Sequence, residues 1–268
     1  MTAMTETKPE KTKKPDAELV LVEDHGNWAL VTLNRPEKRN AMNLAAQARF
    51  REVLEQVRDH RVIVLTGVGA AFCSGIDLKE VAAGAPPTDG RVGGDSLRSW
   101  AECMEDIRKH PAVFIAAVNG FSLGGGSTLI HNCELAVAGE SGSLGTPELG
   151  FGQWPVLSGP SLINRALPKH AAEIIFMAKS IDAATAYRMG LVNEVVPDGQ
   201  LIERASEIAD HIAKFDAVTL DWSKRGYRQM VNMSWEESMA VTQDIADAAG
   251  AHRSSGNGFP TRSARPAE

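Results

Sequence analysis

Three consecutive glycines and a later glutamate are the residues best suited to chemistry in this chain. Gly124, Gly125 and Gly126 carry no side chains to shield their backbone amides, and they precede residues with helical spacing from Ser127 to Leu135. Amides at a helix N-terminus lack an intrahelical acceptor and favour negative charge. Glu148 follows a second short extended piece, so we expect it to return near the glycines. Anion-stabilising donors beside a carboxylate predict proton transfer on a carbonyl compound.

Buried strands must position these loops. The apolar run Phe114–Val118 predicts one strand, which ends at Asn119-Gly120, and Arg61–Thr66 predicts another of the parallel type. A strand that leads into glycines is also found in dinucleotide-binding folds. Here Phe72 stands where that fingerprint needs a small residue, so the dinucleotide interpretation is weak.

Other segments complete the predicted framework. Leu19–Val22 and Trp28–Leu33 predict a hairpin, and Asn43 can cap a helix. That helix would have an apolar face of Leu44, Phe50, Val53, Leu54 and Val57. The glycine- and proline-rich stretch from 82 to 96 predicts a long loop that acts as a lid over an acyl pocket. Short helices are predicted at 158–166, 170–179 and 183–189, a strand at 191–196, and amphipathic helices at 201–214, 217–231 and 235–250.

The ordered motifs resemble those of the enoyl-CoA hydratase/isomerase (crotonase) superfamily. The matching runs are AAVNGFSLGGGSTL and SLGTPELGFG, with LNRPEKRNAMN and GVGAAFCSGIDLKE before them and AYRMGLVNEVVP after them. The resemblance covers roughly residues 19–250. It implies an α/β fold: a spiral of ββα repeats at 18–200 and a C-terminal helical trimerisation region at 201–250. The tails at 1–17 and 251–268 are predicted to be poorly ordered.

The resemblance also implies roles for individual residues. The amides of Ile76 and Gly125 would form an oxyanion hole for a thioester oxygen, and Glu148 would be the general base and acid. Trp154 is a candidate for the wall of the acyl pocket. The implied coenzyme A contacts are Lys38, Arg39, Ala41, Ile76, Asp77, Leu78, Lys79 and Gly125.

The residues themselves leave some of these contacts open. Lys38 and Arg39 can attract phosphates, but they can equally be two solvated surface charges. For Asp77, hydrogen bonds that stabilise a turn suffice to explain a carboxylate, so we do not expect it to be catalytic.

One position departs from the family pattern. Hydratases of the family usually carry a second glutamate two residues after the triplet, where this chain has Thr128, which cannot act as a carboxylate base. His131 lies on a similar helix face, but a structural histidine is the favoured interpretation. With Glu148 as the only carboxylate recovered, a one-base shift of a double bond is chemically natural, so a delta3-delta2-enoyl-CoA isomerase that uses Glu148 alone is one alternative. The expected activity is that of an enoyl-CoA hydratase, because this is the commonest activity of the superfamily. An acyl-CoA-binding protein with little catalysis is the other alternative.

The composition of the chain limits the kinds of partner that we expect it to bind. The 268 residues have a formal net charge of −6, which gives no reason to expect nucleic acid, and no apolar run is long enough for a membrane span. The three cysteines lack metal-like spacing and suggest reduced thiols in the cytoplasm, while the seven histidines show no zinc-like pairing. No metal and no cofactor beyond the coenzyme A part of the substrate are expected. The family resemblance implies a homotrimer or a dimer of trimers.

Overall fold

Two β-sheets form the framework of the molecule. The computed structural model describes residues 15–77, 79 and 94–254. The larger sheet contains, in spatial order, β1 (Val20–Asp24), β2 (Trp28–Leu33), β3 (Val62–Gly67), β5 (Val113–Val118), β7 (Leu135–Gly139) and β10 (Glu194–Val196). The smaller sheet contains β4 (Ala71–Cys73), β6 (Phe121–Leu123), β8 (Ser143–Gly145) and β9 (Ile181–Asp182). The β1–β2 hairpin and the β8–β9 pair are antiparallel, and the other pairs are parallel.

The chain alternates between the two sheets and so forms a spiral. Three times, at β3–β4, β5–β6 and β7–β8, a strand of the large sheet is followed by a strand of the small one. Parallel neighbours need a crossover connection. After β4 and β6 that return includes the helices α2 (Gly94–Lys109) and α3 (Gly125–Asn132). The predicted spiral of ββα repeats is therefore confirmed.

Helix α1 (Leu44–Gln56) shows how local sequence fixes an element. The Asn43 side chain accepts a hydrogen bond from the Ala46 amide at 3.0 Å, as expected of an N-cap. The predicted apolar face is buried except at Leu44, which is 40% exposed. Leu44 is the first residue of the helix, before its buried face meets the sheet.

The remaining helices follow the small sheet's third strand. They are α4 (Ser158–Ile163), α5 (Pro168–Met177), α6 (Ala183–Arg188), α7 (Leu201–Ile212), α8 (Ala217–Met230) and α9 (Trp235–Ser254). Short 3-10 turns lie at Asp16–Glu18, Pro36–Lys38, Pro147–Phe151 and Asp198–Gln200. None of the helices in this described part of the chain is both long and apolar enough to cross a membrane.

Helix α7 belongs to the core rather than to a separate appendage. Leu201, Ala205 and Ala209 are buried in one cluster with side chains from β2, β3, β5 and β7. This cluster covers one face of the large sheet, and a second cluster fills the space between the sheets and α1, α2 and α3. The predicted trimerisation role of this region stays a prediction.

Several predicted boundaries are wrong by a few residues. Helix α3 ends at Asn132 instead of Leu135, because Leu135 opens β7 and pairs with Ile115. Residues 94–96 belong to α2 rather than to the predicted loop, whose residues 82–93 lie outside the described part. The strand predicted at 191–196 is regular only from Glu194. Helix α9 continues to Ser254, beyond the predicted limit of 250.

Candidate active site

The glycine triplet begins helix α3, as predicted. Gly124 is the N-cap, with a φ of 52°, and its amide donates to the Gly145 carbonyl at 2.8 Å. The Ser127 hydroxyl lies 2.7 Å from the Ser122 carbonyl and 3.0 Å from that of Gly145, which fixes the first turn against β6 and β8. Gly125 is the first helical residue, so its amide points out of the helix without an intrahelical acceptor.

The loop after β4 brings a second amide to the same place. Met42 donates to the Gly75 carbonyl at 2.8 Å and accepts from the Asp77 amide at 3.2 Å, which holds Ile76 in an extended bridge. Gly75 has a φ of +90°, and a Cβ there would lie 3.1 Å from the Gly125 nitrogen. The residue before Ile76 thus touches the start of α3. Neither the Ile76 nor the Gly125 amide donates to a backbone carbonyl within the described residues.

Glu148 lies against this glycine turn. It belongs to the 3-10 turn Pro147–Phe151, and a Cβ on Gly124 would be only 2.8 Å from its Oε1. Oε1 accepts a hydrogen bond from the Ser158 hydroxyl at 2.6 Å. Oε2 is buried and has no hydrogen-bond partner in the described part of the chain. Buried polar atoms are nearly always paired, so an unpaired carboxylate oxygen marks a functional candidate.

Thr128 does not supply a second base. It is buried, and both its hydroxyl and its amide face the Gly124 carbonyl, at 3.3 and 3.2 Å. The hydroxyl thus bonds back to its own helix. In this chain Glu148 is the carboxylate that contacts the glycine turn.

His131 is located at the other end of α3. It is buried, and both ring nitrogens lack a partner among the described residues. Burial, with a smaller effect from Arg165, lowers the pKa of His131 to about 3. The ring lines a cavity of about 220 Å³ together with Arg165 and Tyr227. The expectation that His131 is structural stays a prediction, and its neutral ring is consistent with it.

The predicted coenzyme A contacts fall on two loops that are bound to each other. The Ser74 amide donates to the Arg39 carbonyl at 3.0 Å, and the Ser74 hydroxyl to the Lys38 carbonyl at 3.4 Å. The side chains of Lys38, Arg39 and Lys79 are exposed, whereas Ala41 is buried. The two loops are thus joined two residues before Ile76.

Asp77 has structural partners. Its carboxylate pairs with Arg35 at 3.3 Å and accepts from the Lys79 amide at 3.2 Å. This arrangement agrees with the turn-stabilising role expected from the sequence. Leu78, also predicted to contact coenzyme A, lies outside the described residues.

Trp154 lies on the approach to Glu148. It is 51% exposed, and its Cζ2 atom would be 3.3 Å from a Cβ on Gly159, the residue after Ser158. An exposed aromatic ring beside the base fits a wall of a binding groove.

Two residues at the site were missed in the sequence. The sequence predicts Ser158 only as the start of a helix. In the structure its hydroxyl reaches the carboxylate of Glu148, ten residues earlier in the chain. Trp100 lies in α2, and nothing in the sequence singles it out. Its indole nitrogen donates to the Gly125 carbonyl at 3.2 Å, and a Cβ on Gly125 would lie 2.8 Å from that nitrogen. Neither long-range contact has a local sequence signal.

The nearest cysteine is not a nucleophile. A Cβ on Gly126 would lie 1.9 Å from the Cys73 carbonyl oxygen, so Cys73 borders the first turn of α3. Burial raises the pKa of the Cys73 thiol to about 12, and the same holds for Cys103 and Cys133. Such thiols are protonated at neutral pH and unreactive.

Comparisons with known proteins agree with this geometry. The family model described as enoyl-CoA hydratase/isomerase matches residues 23–261. A probable enoyl-CoA hydratase of Rhizobium meliloti (strain 1021) is 35% identical over 226 residues, which cover 83% of this chain and 86% of that protein.

Solved structures show the same fold. The enoyl-CoA hydratase from Bacillus anthracis superposes with a TM-score of 0.80 at 28% identity, covering 91% of this chain and 98% of that one. A monofunctional enoyl CoA isomerase from M. smegmatis gives a TM-score of 0.69 at 28% identity, over 83% and 98% of the two chains. Because the family model spans residues 23–261 and the solved structures share the spiral fold, the chain belongs to the enoyl-CoA hydratase/isomerase family.

Proposed function

We propose that this chain is an enoyl-CoA hydratase that adds water to a 2-enoyl-CoA thioester. One observation carries the proposal. The Glu148 carboxylate, with its buried and unpaired Oε2, packs against Gly124 at the start of α3, and Gly75, the residue before Ile76, lies against the Gly125 nitrogen. A base and two anion-stabilising donors are the groups that chemistry next to a thioester requires. The names of the relatives point to the same reaction.

The proposed mechanism uses these groups in order. The thioester oxygen sits between the Ile76 and Gly125 amides. Glu148 removes a proton from water as the water oxygen bonds to C3, and the electrons of the double bond move onto the thioester oxygen. The enolate then collapses, and Glu148 returns the proton to C2. Each amide donor of such an oxyanion hole contributes about 3 kcal/mol to lowering the barrier.

The coenzyme A part of the substrate would bind along the two joined loops. The exposed ammonium and guanidinium groups of Lys38, Arg39 and Lys79 suit phosphate oxygens. The backbone around Ala41 and Asp77 would contact the pantetheine, and Trp154 would face the acyl chain. No separate cofactor takes part in this proposal.

Thr128 favours isomerisation as the second candidate. Thr128 carries no carboxylate and its hydroxyl is bonded to the Gly124 carbonyl, so among the described residues Glu148 is the carboxylate that contacts the glycine turn. A delta3-delta2 shift needs only one group, which removes a proton from C2 and delivers it to C4. The similarity to the M. smegmatis isomerase supports this candidate. Binding of acyl-CoA with little catalysis is the third possibility, and the unpaired oxygen of Glu148 argues against it.

We also propose that the chain forms a trimer or a dimer of trimers in the cytoplasm. Large apolar side chains are exposed on the neighbouring elements α4, α5 and the 3-10 turn of Glu148, namely Phe151, Ile163, Leu167, Phe176 and Met177. Extended apolar patches of this kind favour association. The three cysteines are buried and form no disulfide bond, which fits a reducing compartment. Light scattering during gel filtration tests the assembly, and a monomer at micromolar concentration would contradict it.

The activity is tested with two thioesters. Purified protein is incubated with crotonyl-CoA and, separately, with a 3-enoyl-CoA, while the absorbance of the conjugated 2-enoyl group is followed. Loss of that absorbance with a mass gain of one water supports hydration. A rise from the 3-enoyl ester without a mass change supports isomerisation instead. No reaction with either ester, together with acyl-CoA binding, would favour the binding protein.

A further inference from the structure

We propose that Ser158 is a positioning residue that selects which oxygen of Glu148 transfers the proton. Its hydroxyl holds Oε1, so that Oε2 alone faces the substrate. The proposal rests on the proposed function, because it concerns the base of that reaction. It goes further by naming the group that fixes this base.

The contact itself is short and buried. Ser158 is 1% exposed at the start of α4, and its Oγ lies 2.6 Å from Oε1 of Glu148. Serine donates the hydrogen, since an ionised carboxylate only accepts. A charge-assisted hydrogen bond of this length is among the stronger ones in proteins. It therefore restrains rotation of the carboxylate about its last side-chain torsion.

The two oxygens of Glu148 have different surroundings. Oε1 meets Ser158 and packs against Gly124, where a Cβ would come within 2.8 Å. Oε2 is equally shielded from bulk water but has no partner in the described part of the chain. An acceptor left unpaired in this way keeps its lone pairs free for a proton. The asymmetry assigns anchoring to Oε1 and proton transfer to Oε2.

Among the described residues of the site, no other side chain performs this task. Thr128 and Ser127, the polar residues of the first turn of α3, bond to backbone carbonyls. Within the described residues, Ser158 provides the hydrogen bond recorded for the Glu148 side chain. We conclude that removal of this hydroxyl frees the base to rotate while the oxyanion donors stay in place.

The test compares five proteins: the wild type, S158A, S158C, S158T and the control S161A. Cysteine keeps the size of serine but is a weak donor, whereas threonine keeps the hydroxyl. S161A is the matched control, because Ser161 lies on the same helix and its hydroxyl donates to the Leu157 carbonyl at 2.8 Å. Each protein is assayed for melting temperature, for kcat and KM with both enoyl esters, and for deuterium uptake at C2 of butyryl-CoA in D2O. Deuterium uptake reports on the base without requiring hydration or isomerisation.

We expect S158A and S158C to lower kcat and the rate of deuterium uptake about 10- to 100-fold, because small misplacements of a reacting group have effects of this size. KM should stay within about threefold, since the substrate contacts are unchanged. S158T should recover much of the loss, and S161A should behave as wild type. A packing role alone predicts that S158C equals wild type.

The outcomes separate this proposal from the proposed function. Wild-type rates in a folded S158A or S158C would overturn the role of Ser158 and leave the function intact. A rise in KM at unchanged kcat would also overturn it, by placing Ser158 in substrate binding. A wild-type protein that is silent in all three assays would overturn the proposed function, and the role of Ser158 with it.

Discussion

The two ends of helix α3 differ in the hydrogen-bond partners of their backbone groups. At the N-terminal end, the Gly125 amide has no backbone acceptor in the described part of the chain, and the adjacent Glu148 oxygen is unpaired. At the C-terminal end, Arg165 donates to the His131 carbonyl at 2.8 Å, and Arg228 donates to that of Asn132. The side chains of the protein satisfy the C-terminal end of α3, which we call the closed end. The N-terminal end, which we call the open end, keeps its groups available for a ligand.

The closed end is also a buried charge cluster. Glu134 is 3.6 Å from Lys224 and forms an ion pair with Arg228, and all three side chains are at most 10% exposed. Lys224 further donates to the carbonyls of Ile107 and Ala112 at 2.9 and 2.7 Å. Cations near the last carbonyls of a helix interact favourably with its dipole. The cluster holds α8 against the end of α3.

The largest effect should come from Glu148→Gln at the open end. The substitution keeps the shape of the side chain but removes its ability to take a proton, so kcat should fall about 10²- to 10⁴-fold. Acyl-CoA binding and the melting temperature should be close to wild type. Steady-state kinetics and calorimetric titration check this, with Glu140→Gln, an exposed turn residue, as control. Equal losses in binding and rate would show instead that Glu148 is structural.

The next effect should come from Glu134→Gln at the closed end. In the wild type the Phe114 amide donates to Oε2 of Glu134 at 2.9 Å, and glutamine can still accept this hydrogen bond. The substitution leaves Lys224 and Arg228 without a counter-charge. We expect a loss of about 3 kcal/mol in the free energy of unfolding and unchanged kcat for folded protein. Urea unfolding measures the first quantity.

A surface pair provides the control for that experiment. Glu105 and Lys109 form an exposed ion pair at 2.6 Å, so Glu105→Gln should leave stability unchanged within error. If both variants unfold at the same urea concentration, the closed end does not depend on its charges and the comparison between the two ends fails.

His131→Met should change the pH dependence of stability. The pKa of His131 is about 3 in the folded protein and near 6.5 when unfolded, so the unfolded state binds more protons between these values. The contribution of neutral His131 to the free energy of unfolding is therefore fully present above pH 6.5 and is lost as the pH falls below this value. Between pH 7 and pH 5 the wild type should lose about 2 kcal/mol more than the variant. Urea unfolding at both pH values measures the difference, and parallel losses would contradict a buried neutral ring.

The smallest effect should come from Trp154→Ala, which sharpens the description of the open end. Because Trp154 is half-exposed, stability should hardly change. Loss of a wall of the acyl pocket should shift the ratio of kcat/KM between a four-carbon and an eight-carbon enoyl-CoA by about fivefold. Trp235→Ala, at an exposed position on α9, is the control. An unchanged ratio would remove Trp154 from the pocket.

Local sequence signals predicted the elements of this fold well. The Asn43 cap, the buried strand predicted at 114–118 and the glycine start of α3 depend on residues adjacent in the chain, and each is found within one residue of its expected place. The end of α3 was misjudged, because Leu135 fits the helical spacing but is drawn into β7 by pairing with Ile115. Tertiary pairing overrode the local pattern there.

The site was predictable only where the family motif named its residues. Glu148 packs against Gly124, and Gly75, the residue before Ile76, packs against Gly125, whereas the roles of Ile76, Gly125 and Glu148 stay predictions. The hydrogen bond from Ser158 and the pairing of Glu134 with Lys224 depend on how separate elements dock. Side-chain type and spacing carry no information on such contacts, so the structure was needed to find them.

The indole of Trp100 has a consequence for observing the site. The ring is fully buried, and its N–H group donates to the Gly125 carbonyl. This carbonyl belongs to the peptide unit next to the one that carries the Gly125 amide. Indole emission depends on the electric field along the ring and on hydrogen bonding at this nitrogen. The protein therefore carries a fluorescent reporter within one peptide unit of its proposed oxyanion donor, with no label to attach. A variant in which the other four tryptophans are replaced by phenylalanine would make that signal readable alone.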